Sequence, residues 1–355
     1  MADNDSTDTS SLTSPTELQP FTYQVGGHEG MQVIGEGSLI VKTVVPLELQ
    51  FYQNILASPS LAALRRWVPT YLGNLRLEGK NTAEGIASIE GISENEKDEF
   101  LENVAHGFRK PNILDIKLGT VLYDEDATPQ KRERMENKAR YTTSGEAGIR
   151  LTGFQVFSNK TRQPLVVPKQ YGRSICTAEL PAGIARFFPV YDSMPNLCLV
   201  PLTYTYHTLS GLPGTETGEQ LDVGLPKTLL VPILRSIRKS VQEIRDLLST
   251  MELRLVGSSL LIVYEGDWDR AELGVQWLAE QLASMNTEDE DIEGSEGDEE
   301  SDEDSSDEGS ESPFVVRLID FAHTRLKPGQ GADVGVLKGL DSLLGLLDGR
   351  IASIS

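Results

Sequence analysis

Three short stretches set charged residues against an apolar background. In Pro111-Asn112-Ile113-Leu114-Asp115-Ile116-Lys117-Leu118-Gly119, Asp115 and Lys117 alternate with Leu114, Ile116 and Leu118, so an extended backbone puts both charges on one face. Asp320 ends the apolar run Phe314-Val315-Val316-Arg317-Leu318-Ile319 and is followed by Phe321. Lys42 follows the Gly35-Glu36-Gly37 turn on Leu39-Ile40-Val41, which reads as a strand. These are the parts that moving a γ-phosphoryl group requires: cations on phosphates, a carboxylate on Mg²⁺, and a group that orients a hydroxyl. Singly, each has an ordinary explanation. Lys42 is also a surface strand lysine, Asp320 a cap of the next turn, and Asp115 with Lys117 an ion pair on an exposed sheet face.

The elements that would carry these residues follow from periodicity. Pro46 to Leu56 reads as a helix, Thr70 to Leu75 as a strand, and Glu78 to Asp98 as a polar excursion without assigned structure. Phe100 to Val104 ends a further strand at a linker between two lobes. Ile233, Ile237, Val241, Ile244, Leu248 and Met251 recur every three or four residues, the pattern of an amphipathic helix. Ser258 to Tyr264 and Phe314 to Asp320 read as buried strands forming an antiparallel pair, and Val334 to Leu347 as a closing helix. Between Gly119 and Gly145, Lys131, Arg134 and Lys138 fall on one face of a helix. A solvated helix that also carries Glu133 and Glu136 explains the same pattern.

The nonapeptide at 111–119 matches the PxxxDxKxG signature of the inositol polyphosphate kinase family, and Ser258-Ser259-Leu260-Leu261 and Ile319-Asp320-Phe321-Ala322-His323 follow in that family's order. The resemblance extends to Leu101-Glu102-Asn103-Val104, Lys131-Arg132-Glu133-Arg134-Met135, Thr142-Thr143-Ser144-Gly145, Tyr171-Gly172-Arg173-Ser174 and Arg186-Phe187-Phe188, and so spans about Tyr23 to Leu347. Within the family the chain looks most like the fungal multikinases. The resemblance implies an α+β, two-lobed fold distantly similar to protein kinases and ATP-grasp enzymes, with a helical inositol-phosphate-binding segment. It implies ATP and Mg²⁺ as cofactors and successive transfer to inositol 1,4,5-trisphosphate and its tetrakisphosphate product.

Carried over residue by residue, the resemblance implies that Asp115 orients the attacking hydroxyl and that Lys117 bridges substrate and γ-phosphate. Lys42 would contact the ATP phosphates, Glu102 and Val104 the adenine, and Asp320 the Mg²⁺. Ser259 would help position metal and phosphates, or be a buried serine bonded to backbone. Lys131, Arg134 and Lys138 would bind the inositol phosphates. Lys169 and His323 are further substrate nominations, each with a structural alternative. An inositol hexakisphosphate kinase, a phosphoinositide lipid kinase and a non-catalytic scaffold in transcriptional regulation are the rival functions.

Charge adds one constraint. Residues 287–311 hold 15 Asp or Glu and no Lys or Arg, and removing them takes the formal charge from −22 to −7. The acidity is therefore local and no bar to an anionic ligand. That insert and residues 1–20 are too polar to offset the entropy of ordering and are expected to be disordered. The remaining layout is expected as an N-lobe and hinge over 21–104 and a C-lobe over 105–350, with substrate-binding helices at 128–150. Cys176 and Cys198 have no metal-ligand spacing, and no secretory signal or membrane-spanning run is read in the sequence. A monomer of the nucleus and cytoplasm is expected, without direct nucleic-acid binding, whose insert could meet a basic protein partner.

Overall fold

The computed structural model describes residues 19–21, 25, 31–78, 91–191, 223–288 and 312–355. These fall into two units. The smaller is an antiparallel sheet of β1 (Gln19–Pro20), β2 (Gln32–Ile34), β3 (Leu39–Thr43), β4 (Tyr71–Glu78) and β5 (Gly91–Glu102), in the order β1-β2-β3-β5-β4. Gly35 and Gly37 take φ of +60° and +93° in the turn before β3, a conformation that costs glycine least. The turn is pinned by Asn103, whose Nδ2 donates to the Gly37 carbonyl at 2.7 Å. Part of the stretch left without structure in sequence, from 91 onward, is the long strand β5. Residues 19 and 20, inside the tail expected to be disordered, pair with β2. Residues 1–18 and 289–311 lie outside the described residues.

The larger unit begins with α1 (Pro46–Ala57), which groups with residues 104–355 although it lies within the 21–104 stretch. Its sheet contains β6 (Pro111–Leu118), followed by α2 (Pro129–Arg140), α3 (Thr143–Ala147), β7 (Ile149–Phe157), β8 (Pro164–Val167), α4 (Tyr171–Ser174), α5 (Leu180–Phe187) and α6 (Lys227–Ser249). A short strand β9 (Leu253–Leu255) then leads to β10 (Ser259–Glu265), α7 (Trp268–Glu288), β11 (Phe314–Ile319), β12 (Thr324–Leu326) and α8 (Val334–Ile354). The sheet order is β11-β10-β6-β7-β8, every pair antiparallel, and β9 and β12 form a separate ribbon.

The reasons are local. Thr128 caps α2, accepting from the Lys131 amide at 3.2 Å, with Pro129 at the first helical position where its missing N–H is harmless. Leu230, Ile233, Leu234, Ile237, Val241, Ile244 and Leu248 make the buried stripe of α6, which packs on α8. Phe154, Phe187, Phe188 and Tyr264 form an edge-to-face and stacked aromatic cluster under the sheet. The expected β10–β11 pair is present, but α7, unread in the sequence, enters the connection between them.

Candidate active site

Pairing register builds the site. Lys117 on β6 lies opposite Arg150 on β7 and opposite Ser259 on β10. Directly opposed residues of antiparallel strands share a face, and Asp115, two residues back on β6, shares it too. Ser259 opposes Ile319, the last residue of β11, so Asp320 emerges at the same end of the sheet.

Lys117 Nζ donates to Asp320 Oδ2 at 2.5 Å and to the Gly257 carbonyl at 2.7 Å. Asp320 adopts φ +65°, a left-handed conformation uncommon outside glycine. The surroundings hold it there. Ser258 Oγ donates to its carbonyl at 3.0 Å, and the next amide, Phe321 N–H, donates to Glu48 of α1 at 3.1 Å. The fully buried Phe321 ring sits 4.2 Å from Phe51 and edge-on to Tyr52. An aspartate whose strained backbone is so over-determined is the pattern expected of a functional position.

Asp115 is only 2% exposed, and neither carboxyl oxygen has a hydrogen-bond partner. Burial pushes its pKa up to about 6, with Asp320 adding to the rise and Lys117, Ser259 and Arg150 opposing it. The Ser259 hydroxyl is near enough to act on it, though not aligned for a hydrogen bond, and is itself buried without a partner. Buried polar atoms left unpaired are costly, so the cluster is suited to a ligand that completes it.

Beside these carboxylates stand cations from four elements. Burial, then Arg150, Arg173, Lys117 and Arg134, lower the pKa of Lys138 to about 8. Arg150 is held down by burial and by Arg173, partly offset by Asp115, and one terminal nitrogen is buried without a partner. Arg150 and Arg173 were not nominated from sequence. The first sits in an apolar strand with no motif of its own, and only register reveals it. The second lay in plain view within Tyr171-Gly172-Arg173-Ser174. Lys131 and exposed Lys169 are not among the charges acting on Lys138.

The other nominated residues have local partners of their own. Lys42 pairs with the buried Glu99 carboxylate across the β3–β5 ladder at 3.0 Å. Glu102 accepts from the amide and hydroxyl of Thr70 at 3.0 and 2.9 Å, and both pairs lie in the smaller unit. Val104, in the larger unit, is partly buried against Ala105, Ile113 and Val263. His323 Nδ1 lies 2.6 Å from Asp124 Oδ2.

Among the described residues no three His, Cys, Asp or Glu converge as a metal cage. Mg²⁺ does not ask for one: it keeps waters, binds substrate phosphates and takes one or two carboxylates. Asp320, Asp115 and the unpartnered Ser259 hydroxyl provide hard oxygens of that kind.

A family model described as inositol polyphosphate kinase matches residues 100–199 and 226–348. The chain is 30% identical to inositol polyphosphate multikinase of Saccharomyces cerevisiae, over 91% of this chain and 95% of that one. It is 27% identical to inositol hexakisphosphate kinase 3 of Mus musculus over 70% of its length, but spans only 49% of that relative. A crystal structure of inositol phosphate multikinase from S. cerevisiae, in complex with ADP and Mn²⁺, is similar at a TM-score of 0.57 and 27% identity, covering 88% of this chain and 99% of that one.

Proposed function

Because this chain belongs to the inositol polyphosphate kinase family, we propose that it transfers the terminal phosphoryl group of ATP directly to a hydroxyl of an inositol polyphosphate. It is an ATP-dependent inositol phosphate kinase that works with a divalent cation. The observation that carries the assignment of roles is the convergence of Asp115, Lys117 and Asp320 at one end of the sheet, beside the Lys138, Arg150 and Arg173 cations.

Asp320, with Ser259, would hold Mg²⁺, which when bound neutralises charge on the nucleotide phosphates. Asp115 orients the inositol hydroxyl and accepts its proton; a carboxylate whose pKa is raised to about 6 is well matched to that task near neutral pH. Lys117 stabilises the migrating phosphoryl group. Arg134, Lys138, Arg150 and Arg173 hold the other substrate phosphates, for which arginine's fork is the better donor. Lys42, Glu102 and Val104 serve the nucleotide, and Lys131, Lys169 and His323 remain further substrate contacts.

The finer substrate is inositol 1,4,5-trisphosphate, converted through a tetrakisphosphate to a pentakisphosphate. The near-complete match with a multikinase favours this over hexakisphosphate kinase activity. Among the described residues no helix is long and apolar enough to cross a membrane. A monomer acting in nucleus and cytoplasm, with a basic partner for the 287–311 segment, belongs to the same proposal; the partner rests on charge alone.

The test incubates purified protein with ATP, Mg²⁺ and inositol 1,4,5-trisphosphate and separates products by charge. More highly phosphorylated products are expected from the wild type and none from Asp115→Ala or Asp320→Ala. Transfer that persists in both variants, or is absent from the wild type, overturns the assignment.

A further inference from the structure

Tyr123-Asp124-Glu125-Asp126 leave the end of β6, and their side chains engage two different elements. The Tyr123 hydroxyl donates to Glu136 of α2 at 2.9 Å, and the Arg132 guanidinium, also on α2, lies 5.0 Å from the Tyr123 ring. Asp124 Oδ2 is 2.6 Å from His323 Nδ1. Glu125 pairs with Lys327 at 2.5 Å and Arg325 at 3.7 Å, and Asp126 pairs with Arg325. One four-residue loop thereby ties the helix of substrate cations to the chain that leaves Asp320.

The contacts differ in weight. Glu125 and Asp126 are more than half exposed, and such surface pairs contribute little. Asp124 is the exception: its carboxylate is 8% exposed, whereas the imidazole it touches is 42% exposed. Nδ1 is buried against that carboxylate without a hydrogen bond, so close packing of the two side chains holds the ring. Fixing Nδ1 fixes the rotation of the ring and leaves Nε2 as the nitrogen for an incoming group. The far side of the same turn is already anchored by Phe321 in its aromatic pocket and by the Thr324 amide donating to the Phe321 carbonyl at 2.9 Å.

The geometry points to Asp124 as a positioning residue that acts through His323, holding the imidazole so that Nε2 meets a substrate phosphate while Tyr123 sets α2 in register with it. This rests on the function proposed above and gives a role to a residue not nominated for the site.

Isothermal titration of the full chain with inositol 1,4,5-trisphosphate, and separately with Mg²⁺ and ADP, tests it in wild type, Asp124→Asn, His323→Ala and the double variant. Each single variant is expected to weaken inositol trisphosphate binding about tenfold, and the double variant no further than His323→Ala alone, since coupled residues are not additive. Nucleotide affinity and melting temperature should stay at the wild-type values, and the ¹⁵N signals of the His323 ring should move in Asp124→Asn. Wild-type affinity in Asp124→Asn, multiplied effects in the double variant, or a parallel loss of nucleotide binding and thermal stability would each overturn the inference. A wild-type chain that binds no inositol phosphate would instead overturn the kinase function on which it stands.

Discussion

Lys117 Nζ lies 2.5 Å from Asp320 Oδ2, so the cation proposed for the migrating phosphoryl group and the carboxylate proposed for the metal are each other's counter-ion. On those roles Asp320 would hold the divalent cation, and the Lys117 ammonium, no longer that carboxylate's main counter-charge, would be available to an arriving phosphate. Metal loading and the alignment of Lys117 would then be linked through one carboxylate, which a substitution at Lys117 can test.

Lys117→Met separates the two roles. With its counter-ion removed, Asp320 should bind Mg²⁺ and ADP at least as tightly as in the wild type, while the transfer rate falls about 10²–10³-fold, as for loss of one preorganised electrostatic contact. Calorimetry and a single-turnover assay read the two quantities. Weaker nucleotide binding with an unchanged rate would contradict the linkage.

Asp115 makes a prediction with a definite sign. Its carboxyl titrates at about 6 in the folded chain against 3.8 in its ordinary state. A folded pKa raised in this way contributes stability that is present below about pH 4 and is lost as pH rises through 6. Above pH 6 the ionised group therefore costs the fold about 3 kcal/mol. Asp115→Asn should abolish transfer yet raise the melting temperature at pH 7.5 by about 5 °C, with the gain vanishing near pH 4. In the wild type, kcat/KM should climb with pH through about 6. Equal melting curves at both pH values would show that burial does not strain this carboxyl.

How far the site was legible in the sequence depends on the kind of signal each residue left. Asp115, Lys117 and Asp320 stood out because a charge inside an alternating or apolar strand breaks the pattern around it. Arg150 breaks the pattern too, in Ile149-Arg150-Leu151, but a single arginine in a strand has no meaning until register places it opposite Lys117. The polar run inside β5 hid a strand because it lacks apolar alternation, and α7 was missed because its exposed Leu273 and Leu282 blur the helical stripe. The grouping of α1 with the larger unit depends on tertiary contacts such as Glu48 with the Phe321 amide, which no local pattern reports.

Lys138 offers a pH test of the cation cluster. Burial, and then neighbouring positive charge, bring its pKa to about 8, so it loses its proton in a range where the arginines keep theirs. Inositol trisphosphate affinity in the wild type should fall between pH 7 and pH 9. Lys138→Arg should flatten that fall while binding comparably at pH 7. An identical pH dependence in the two proteins would remove Lys138 from the binding face.

Gly172 tests how the cluster is assembled. It is the second residue of α4, which carries Arg173 against β7, and a Cβ at this position would lie 1.6 Å from the Leu151 carbonyl oxygen and 2.7 Å from its carbon. Backbone cannot yield to such an overlap as a flexible side chain does, so α4 must move away from the strand that presents Arg150. The cost of overpacking is typically about 1–3 kcal/mol, and the displacement also draws Arg173 away from its neighbour. Gly172→Ala should therefore lower the melting temperature and weaken inositol trisphosphate binding together, and should partly relieve the depression of the Lys138 pKa, for which Arg173 is one cause. The titration of that lysine, followed by NMR, separates the outcomes: a destabilised variant in which Lys138 still titrates near 8 would show that α4 is a structural prop and that Arg173 does not act on the site.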